Sequence, residues 1–126
     1  MKVHVQGQSL RLRIDEDGLA RLLAGGELVN ETRAGDAALR QRLRLSEDTS
    51  PRLEVEGDDW TFLLPAGAVG AYVGRLPCRD ALEFVLSPGG APLRLAFEVD
   101  VRDSVRHRGP PARRRPPDPT RGPAPL

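Results

Sequence analysis

Two stretches fifty residues apart carry the same apolar pattern, and this repeat limits the fold more than any other feature. Val3–Ile14 can be laid over Leu53–Leu64. Val3 and Val5 then fall on Leu53 and Val55, Gly7 on Gly57, and Leu10, Leu12 and Ile14 on Trp60, Phe62 and Leu64. In both copies the apolar residues are odd-numbered before the glycine and even-numbered after it. Alternation at period two marks a strand with one buried face. A parity change across a glycine is what a hairpin turn produces, because glycine tolerates the backbone such turns require. Each copy therefore opens with a β-hairpin whose inner face is the apolar set just named.

Each hairpin is followed by helical spacing. Leu19, Leu22 and Leu23 recur at i, i+3 and i+4 after Asp15-Glu16-Asp17 and before Gly25-Gly26. This reads as a short amphipathic helix with Asp15 as N-cap, acidic groups at the positive end of the dipole and glycines at its stop. Val69, Tyr72 and Val73 repeat the spacing after Pro65, which suits a first helical turn. Gly67 and Gly70 weaken this second helix by roughly 1 kcal/mol each relative to alanine. A second hairpin then follows in each copy, turning at Ala34-Gly35-Asp36 and at Ser87–Gly90. Leu39, Leu43 and Leu45 match Leu93, Phe97 and Val99, now at an offset of 54, so four residues are inserted around Arg75–Arg79. The expected fold class is α+β: two ββαββ units, about residues 1–46 and 51–100, related by an internal pseudo-two-fold. Mainly antiparallel sheets would pack face to face or curl into a partly closed barrel with two short helices.

A chain of 126 residues with 39% hydrophobic and 29% charged side chains suits one globular domain. The net charge of +1 hides unlike segments: +2 over residues 1–46, −6 over 47–100 and +5 over 101–126. Seven of the twelve prolines lie within residues 110–126. Proline removes a backbone donor and disfavours helix before it. Residues 1–103 are accordingly expected to fold, and residues 104–126 to form a disordered Arg/Pro-rich tail with polyproline-II character. No apolar run approaches a membrane span, and no secretory leader is visible, so a cytosolic protein is expected.

The opening, with Gly7-Gln-Ser-Leu-Arg-Leu-Arg13 as its most specific part, resembles the start of a family of short uncharacterised bacterial proteins. The resemblance continues through Leu19–Leu23 and Leu39–Ser46 and thins after Trp60, covering about the first hundred residues. It implies a bacterial, cytosolic origin and brings no chemistry with it. Members of that family end in a short acidic and aromatic segment containing proline, where this chain has its Arg/Pro tail.

Catalytic signatures are missing from the sequence. The glycines form no phosphate-binding loop before a helix, and no Gly-x-Ser-x-Gly elbow occurs. His4 and His107 lie at opposite ends, and Cys78 is the only cysteine, so neither a metal-ligand spacing nor a disulfide is written in the chain. Asp15-Glu16-Asp17 reads as helix capping before it reads as a cation site. Asp58-Asp59 reads as a turn. Cys78 reads as a packing or surface thiol. Neither metal nor cofactor is expected.

Arginine carries the one suggestive pattern. Arg11 and Arg13 alternate with Leu10, Leu12 and Ile14, and Arg40, Arg42 and Arg44 alternate with Leu39, Leu43 and Leu45. If those strands are neighbours, five guanidinium forks share one face suited to phosphate or carboxylate. The competing reading pairs that face with acidic residues such as Glu54 and Glu56. Arg113, Arg114 and Arg115 in the tail offer a second anion-binding element, without aromatic partners for stacking on bases. The leading expectation is a non-enzymatic binding or protein-interaction module. The alternatives are anion or nucleic-acid binding through these arginines, or a small-ligand protein or enzyme with its site between the two repeats. Either a monomer or a homodimer joined through exposed strand edges is compatible with the pattern.

Overall fold

Three hairpins close on glycines that the sequence marks as turns, Gly7 and Gly57 by a parity change and Gly35 by its place in Ala34-Gly35-Asp36. The computed structural model describes residues 1–87 and 89–110. Strands β1 (Lys2–Gln6) and β2 (Ser9–Ile14) join through Gly7-Gln8, β3 (Leu28–Ala34) and β4 (Ala37–Ser46) through Gly35-Asp36, and β5 (Arg52–Glu56) and β6 (Asp59–Pro65) through Gly57-Asp58. Gly7, Gly35 and Gly57 hold φ of 54°, 59° and 59°, the left-handed region that a two-residue hairpin requires of its first central residue. Strands β7 (Leu82–Leu86) and β8 (Leu93–Val99) form the fourth hairpin. The helices are α1 (Glu16–Leu23), α2 (Ala66–Val73) and α3 (Val101–Arg108).

The strands form two four-stranded mixed sheets, in the orders β1-β2-β8-β7 and β3-β4-β6-β5. Every hairpin is antiparallel, and each sheet has one parallel pair at its centre, β2 with β8 and β4 with β6. Neither sheet closes into a barrel. Each sheet therefore takes one hairpin from each repeat, and neither repeat can complete a sheet alone. The register obeys the repeat. Leu10, Leu12 and Ile14 face Leu95, Phe97 and Val99 across the first seam. Trp60, Phe62 and Leu64 face Gln41, Leu43 and Leu45 across the second. Adding 50 to each β2 position and subtracting 54 from each β8 position converts the first set into the second. The four inserted residues lie between helix and strand: Ala24–Glu27 links α1 to β3, and the longer Gly74–Ala81 links α2 to β7. There Tyr72 Oη donates to the Asp80 carbonyl at 2.8 Å, and burial pushes its phenol up to about 12.

One core joins the inner faces of both sheets to both repeat helices. Leu12, Leu22, Leu43, Phe62, Leu64, Val69, Tyr72 and Phe97 are fully enclosed in it. Some expected core positions are exposed. Val5 and Val55 lie beside the turns of edge strands β1 and β5, and Leu23 ends α1. Leu39 precedes the stretch of β4 that pairs with β6, so no second strand flanks it. Trp60 and Cys78 are half-buried against the core.

A third helix replaces the expected start of the tail. Residues 104–108 belong to α3, not to a disordered segment; residues 111–126, with Arg113, Arg114 and Arg115, lie outside the described residues. Asp100 caps α3, its Oδ1 accepting from the backbone of Arg102 at 2.9 Å and Asp103 at 3.2 Å. Arg106, His107 and Arg108 stand at its negative end.

Two glycine substitutions should act with opposite signs. A Cβ at Gly70, inside α2, meets nothing within 4 Å, so Gly70→Ala is expected to raise stability by about 0.5–1 kcal/mol. At Gly57 the space is also open, but φ of +59° penalises any side chain, so Gly57→Ala is expected to lose about 1–2 kcal/mol. Urea titrations of the two variants check both signs.

Candidate functional site

The outward arginines do not share one face. Arg11 and Arg13 lie on β2 in the first sheet, whereas Arg40, Arg42 and Arg44 lie on β4 in the second. Each group has acidic partners, though not Glu54 and Glu56. Arg40 donates to Glu31 at 2.6 Å. Arg42 donates to Asp59 at 2.8 Å and to Glu27 at 3.0 Å, and Arg44 stands 3.8 Å from Glu27. The Asp59 bond, then the Glu27 bond, raises the Arg42 guanidinium; the same Arg42 bond holds the Asp59 carboxyl below the usual carboxylate range. The outer face of this sheet thus neutralises itself strand by strand. Glu54 is met by Arg52 on its own strand.

The first sheet has a different charge pattern on its outer face. Paired positions on neighbouring strands form rows across it. His4, Arg11, Ala96 and Glu83 make one row; Gln6, Ser9, Arg94 and Val85 make the next. In the row on the other side, Glu98 binds both Arg11 and Arg13, the latter at 2.8 Å. The outer face carries four fixed cations, Lys2, Arg11, Arg13 and Arg94, against two carboxylates, Glu83 and Glu98.

These rows enclose an open trough of about 430 Å³ along the β2–β8 seam, with Ala96 at its middle. Its volume falls within the range of small-ligand sites. The repeat explains why it is open. The place of Ala96 is taken in the second sheet by Arg42, 54 residues earlier, whose long side chain lies over that seam and binds Asp59 and Glu27. The place of Arg94 is taken by Arg40, whose partner Glu31 corresponds to Val85 and whose neighbour across the seam, Asp59, corresponds to Ser9. Arg94 has therefore lost both acidic neighbours of its counterpart. Among the described residues no carboxylate lies within 4 Å of it. A second depression of about 640 Å³ adjoins the trough, sharing His4 and Arg11, with Lys2, Arg13 and Asn30 of β3 on its walls.

No family model, curated protein or solved structure significantly matches the chain. The acidic cluster at the start of α1 has structural partners. Asp15 caps α1 through a 2.7 Å bond from the Gly18 amide, and Glu16 is buried against α3. Among the described residues no three His, Cys, Asp or Glu side chains are grouped to hold a metal ion, and no helix is long and apolar enough to cross a membrane. Arg11 and Arg13 were legible as outward cations. Along the chain His4 reads only as a histidine without metal-ligand spacing, and Arg94 and Glu83 fit no motif, although the repeat alignment carries the signal for Arg94: it matches Arg40 while its acidic neighbours are exchanged for Ser9 and Val85.

Proposed function

We propose that this chain is a binding module that seats a small anionic ligand in the trough over Ala96. The observation that carries this reading is Arg94, a guanidinium without an acidic partner among the described residues, lining a ligand-sized trough that also holds Arg11 and His4. Guanidinium forks match carboxylate and phosphate oxygens, and the trough crosses the seam between repeats, where both copies contribute. A small ligand fits better than nucleic acid: two carboxylates share the face, and none of its outward positions is Phe, Tyr or Trp. Kinship with the short bacterial family of the opening segment belongs to this same reading and adds no ligand to it.

Titration of the whole chain with inorganic phosphate by calorimetry tests it. Binding is expected to weaken about 10–100-fold in Arg94→Ala, the loss typical of a charge-assisted hydrogen bond. Ala96→Arg, which installs the side chain found at the matching place of the second sheet, is expected to fill the trough and abolish binding. Both positions face outward, so thermal unfolding should move little. Equal phosphate affinity in wild type and both variants would overturn the site.

A further inference from the structure

We infer that the ligand of this trough is a small zwitterion, carrying an ammonium group as well as its carboxylate or phosphate. This rests on the anion-site reading above and deepens it. The row through Ala96 is polar in a fixed sense: Arg11 stands on one side of the alanine and Glu83 on the other. Neighbouring strands lie about 4.8 Å apart, so these two backbones are separated by about 10 Å with a methyl group between them. Glu83, like Arg94, lacks an oppositely charged group within 4 Å among the described residues. The other carboxylate on this face, Glu98, is engaged by Arg11 and Arg13.

Comparison of the repeats shows that Glu83 is not a leftover of the architecture. The corresponding row of the second sheet holds Val29 in its place and Arg42 in the place of Ala96. All four positions of the row differ: Glu54 and Thr61 stand where the first sheet has His4 and Arg11, and two further changes fall at the gap itself. The filling cation is replaced by a methyl group, and an apolar residue by a carboxylate. The second change opposes a bare anion, since a phosphate drawn to Arg94 also feels the Glu83 charge. With an ammonium seated at Glu83, the same charge becomes attractive. A ligand with both groups engages both ends of the gap, and its own dipole matches that of the row.

The test is a calorimetric series on the full chain. Straight ω-amino carboxylates of increasing length are compared with carboxylates of equal length lacking the amine, and with inorganic phosphate. At one length the amino carboxylate is expected to bind at least tenfold more tightly than its matched carboxylate. Glu83→Gln should erase that preference while leaving carboxylate and phosphate binding intact or stronger. Arg94→Ala should weaken every probe. If phosphate binds but no amino carboxylate exceeds its matched carboxylate, or if the preference survives in Glu83→Gln, the zwitterion inference falls and the anion site stands. If neither phosphate nor any carboxylate binds, both readings fall. Both substituted side chains are exposed, so a thermal melt confirms that each variant is folded.

Discussion

Phe97→Ala is expected to destabilise the protein by about 3–5 kcal/mol and to lower the stability of both repeats together. Phe97 is fully buried on β8, opposite Leu12 on one side and Leu82 on the other. Its ring meets Tyr72 of α2 edge-on, with centroids 5.9 Å apart. Truncation removes that contact and leaves a cavity where strands from the two repeats meet. Because each sheet needs a hairpin from each repeat, the loss cannot stay within residues 51–100. Urea unfolding followed by far-UV circular dichroism should show a single transition at lower denaturant. The exchange Leu12→Phe with Phe97→Leu offers a control. The second seam already places its phenylalanine on the opposite partner, with Phe62 of β6 facing Leu43 of β4. The double variant keeps the volume and copies that arrangement, so it should cost less than about 1.5 kcal/mol. A loss below about 1 kcal/mol in Phe97→Ala, or two separate transitions, would contradict a core shared across the repeats.

Local patterning made much of this fold readable, because hairpin parity and helix spacing are written in neighbouring residues. Gly7, Gly35 and Gly57 close the turns expected of them, and Leu19 and Leu22 face the core. The exchange of hairpins between repeats was not written there, because the offsets of 50 and 54 fit pairing within a repeat equally well. The parallel seams themselves were not readable: the same alternating strand serves a parallel or an antiparallel neighbour. The arginine pattern misled for that reason. Arg11 and Arg40 look alike along the chain, but β2 and β4 never become neighbours, and pairing across strands decides which cations are neutralised. The trough was harder still to foresee. It depends on what Ala96 lacks relative to Arg42, a difference that acquires meaning only once both are known to stand at the centre of a seam. Helix α3 escaped for a different reason. Composition favoured disorder, whereas the deciding contacts join Asp103, Ser104 and Arg108 to Glu16, far away in sequence.

Those contacts carry the second large effect. Arg108→Ala is expected to weaken the docking of α3 by about 2–3 kcal/mol, somewhat below the cost of breaking a fully buried pair because Arg108 is itself 33% exposed. Arg108 grips both oxygens of Glu16, Nε at 2.7 Å and Nη2 at 3.0 Å. Ser104 Oγ, fully buried, donates to the same carboxylate at 2.7 Å, and the Glu16 amide donates to Asp103 at 2.7 Å. Without Arg108 the carboxylate remains enclosed with one neutral partner. Burial pushes the Glu16 carboxyl up, but the bonds from Arg108 and Ser104 together outweigh it and hold the group below its ordinary 4.5. Backbone donation from Asp103, against burial, likewise lowers Asp100. A lowered carboxyl contributes stability above its unfolded value and loses it as pH falls through the folded one. His107 acts in the opposite sense. Its bond to the Asp103 backbone raises it above 6.5, so its contribution is present in acid and lost as pH rises through the raised value. Docking of α3 should therefore be firmest between about pH 4.5 and 6.5, declining steeply in acid and gently in base. Amide exchange of residues 101–108 across this range measures it. Arg108→Ala should reduce their protection about 30–150-fold at pH 6, the equivalent of that docking loss. Glu16→Gln should flatten the acid limb to the part owed to Asp100. Full protection of residues 101–108 in Arg108→Ala would mean that Arg108 adds nothing to docking and that the Asp100 cap, with the Ser104 and Asp103 contacts to Glu16, holds the helix in place.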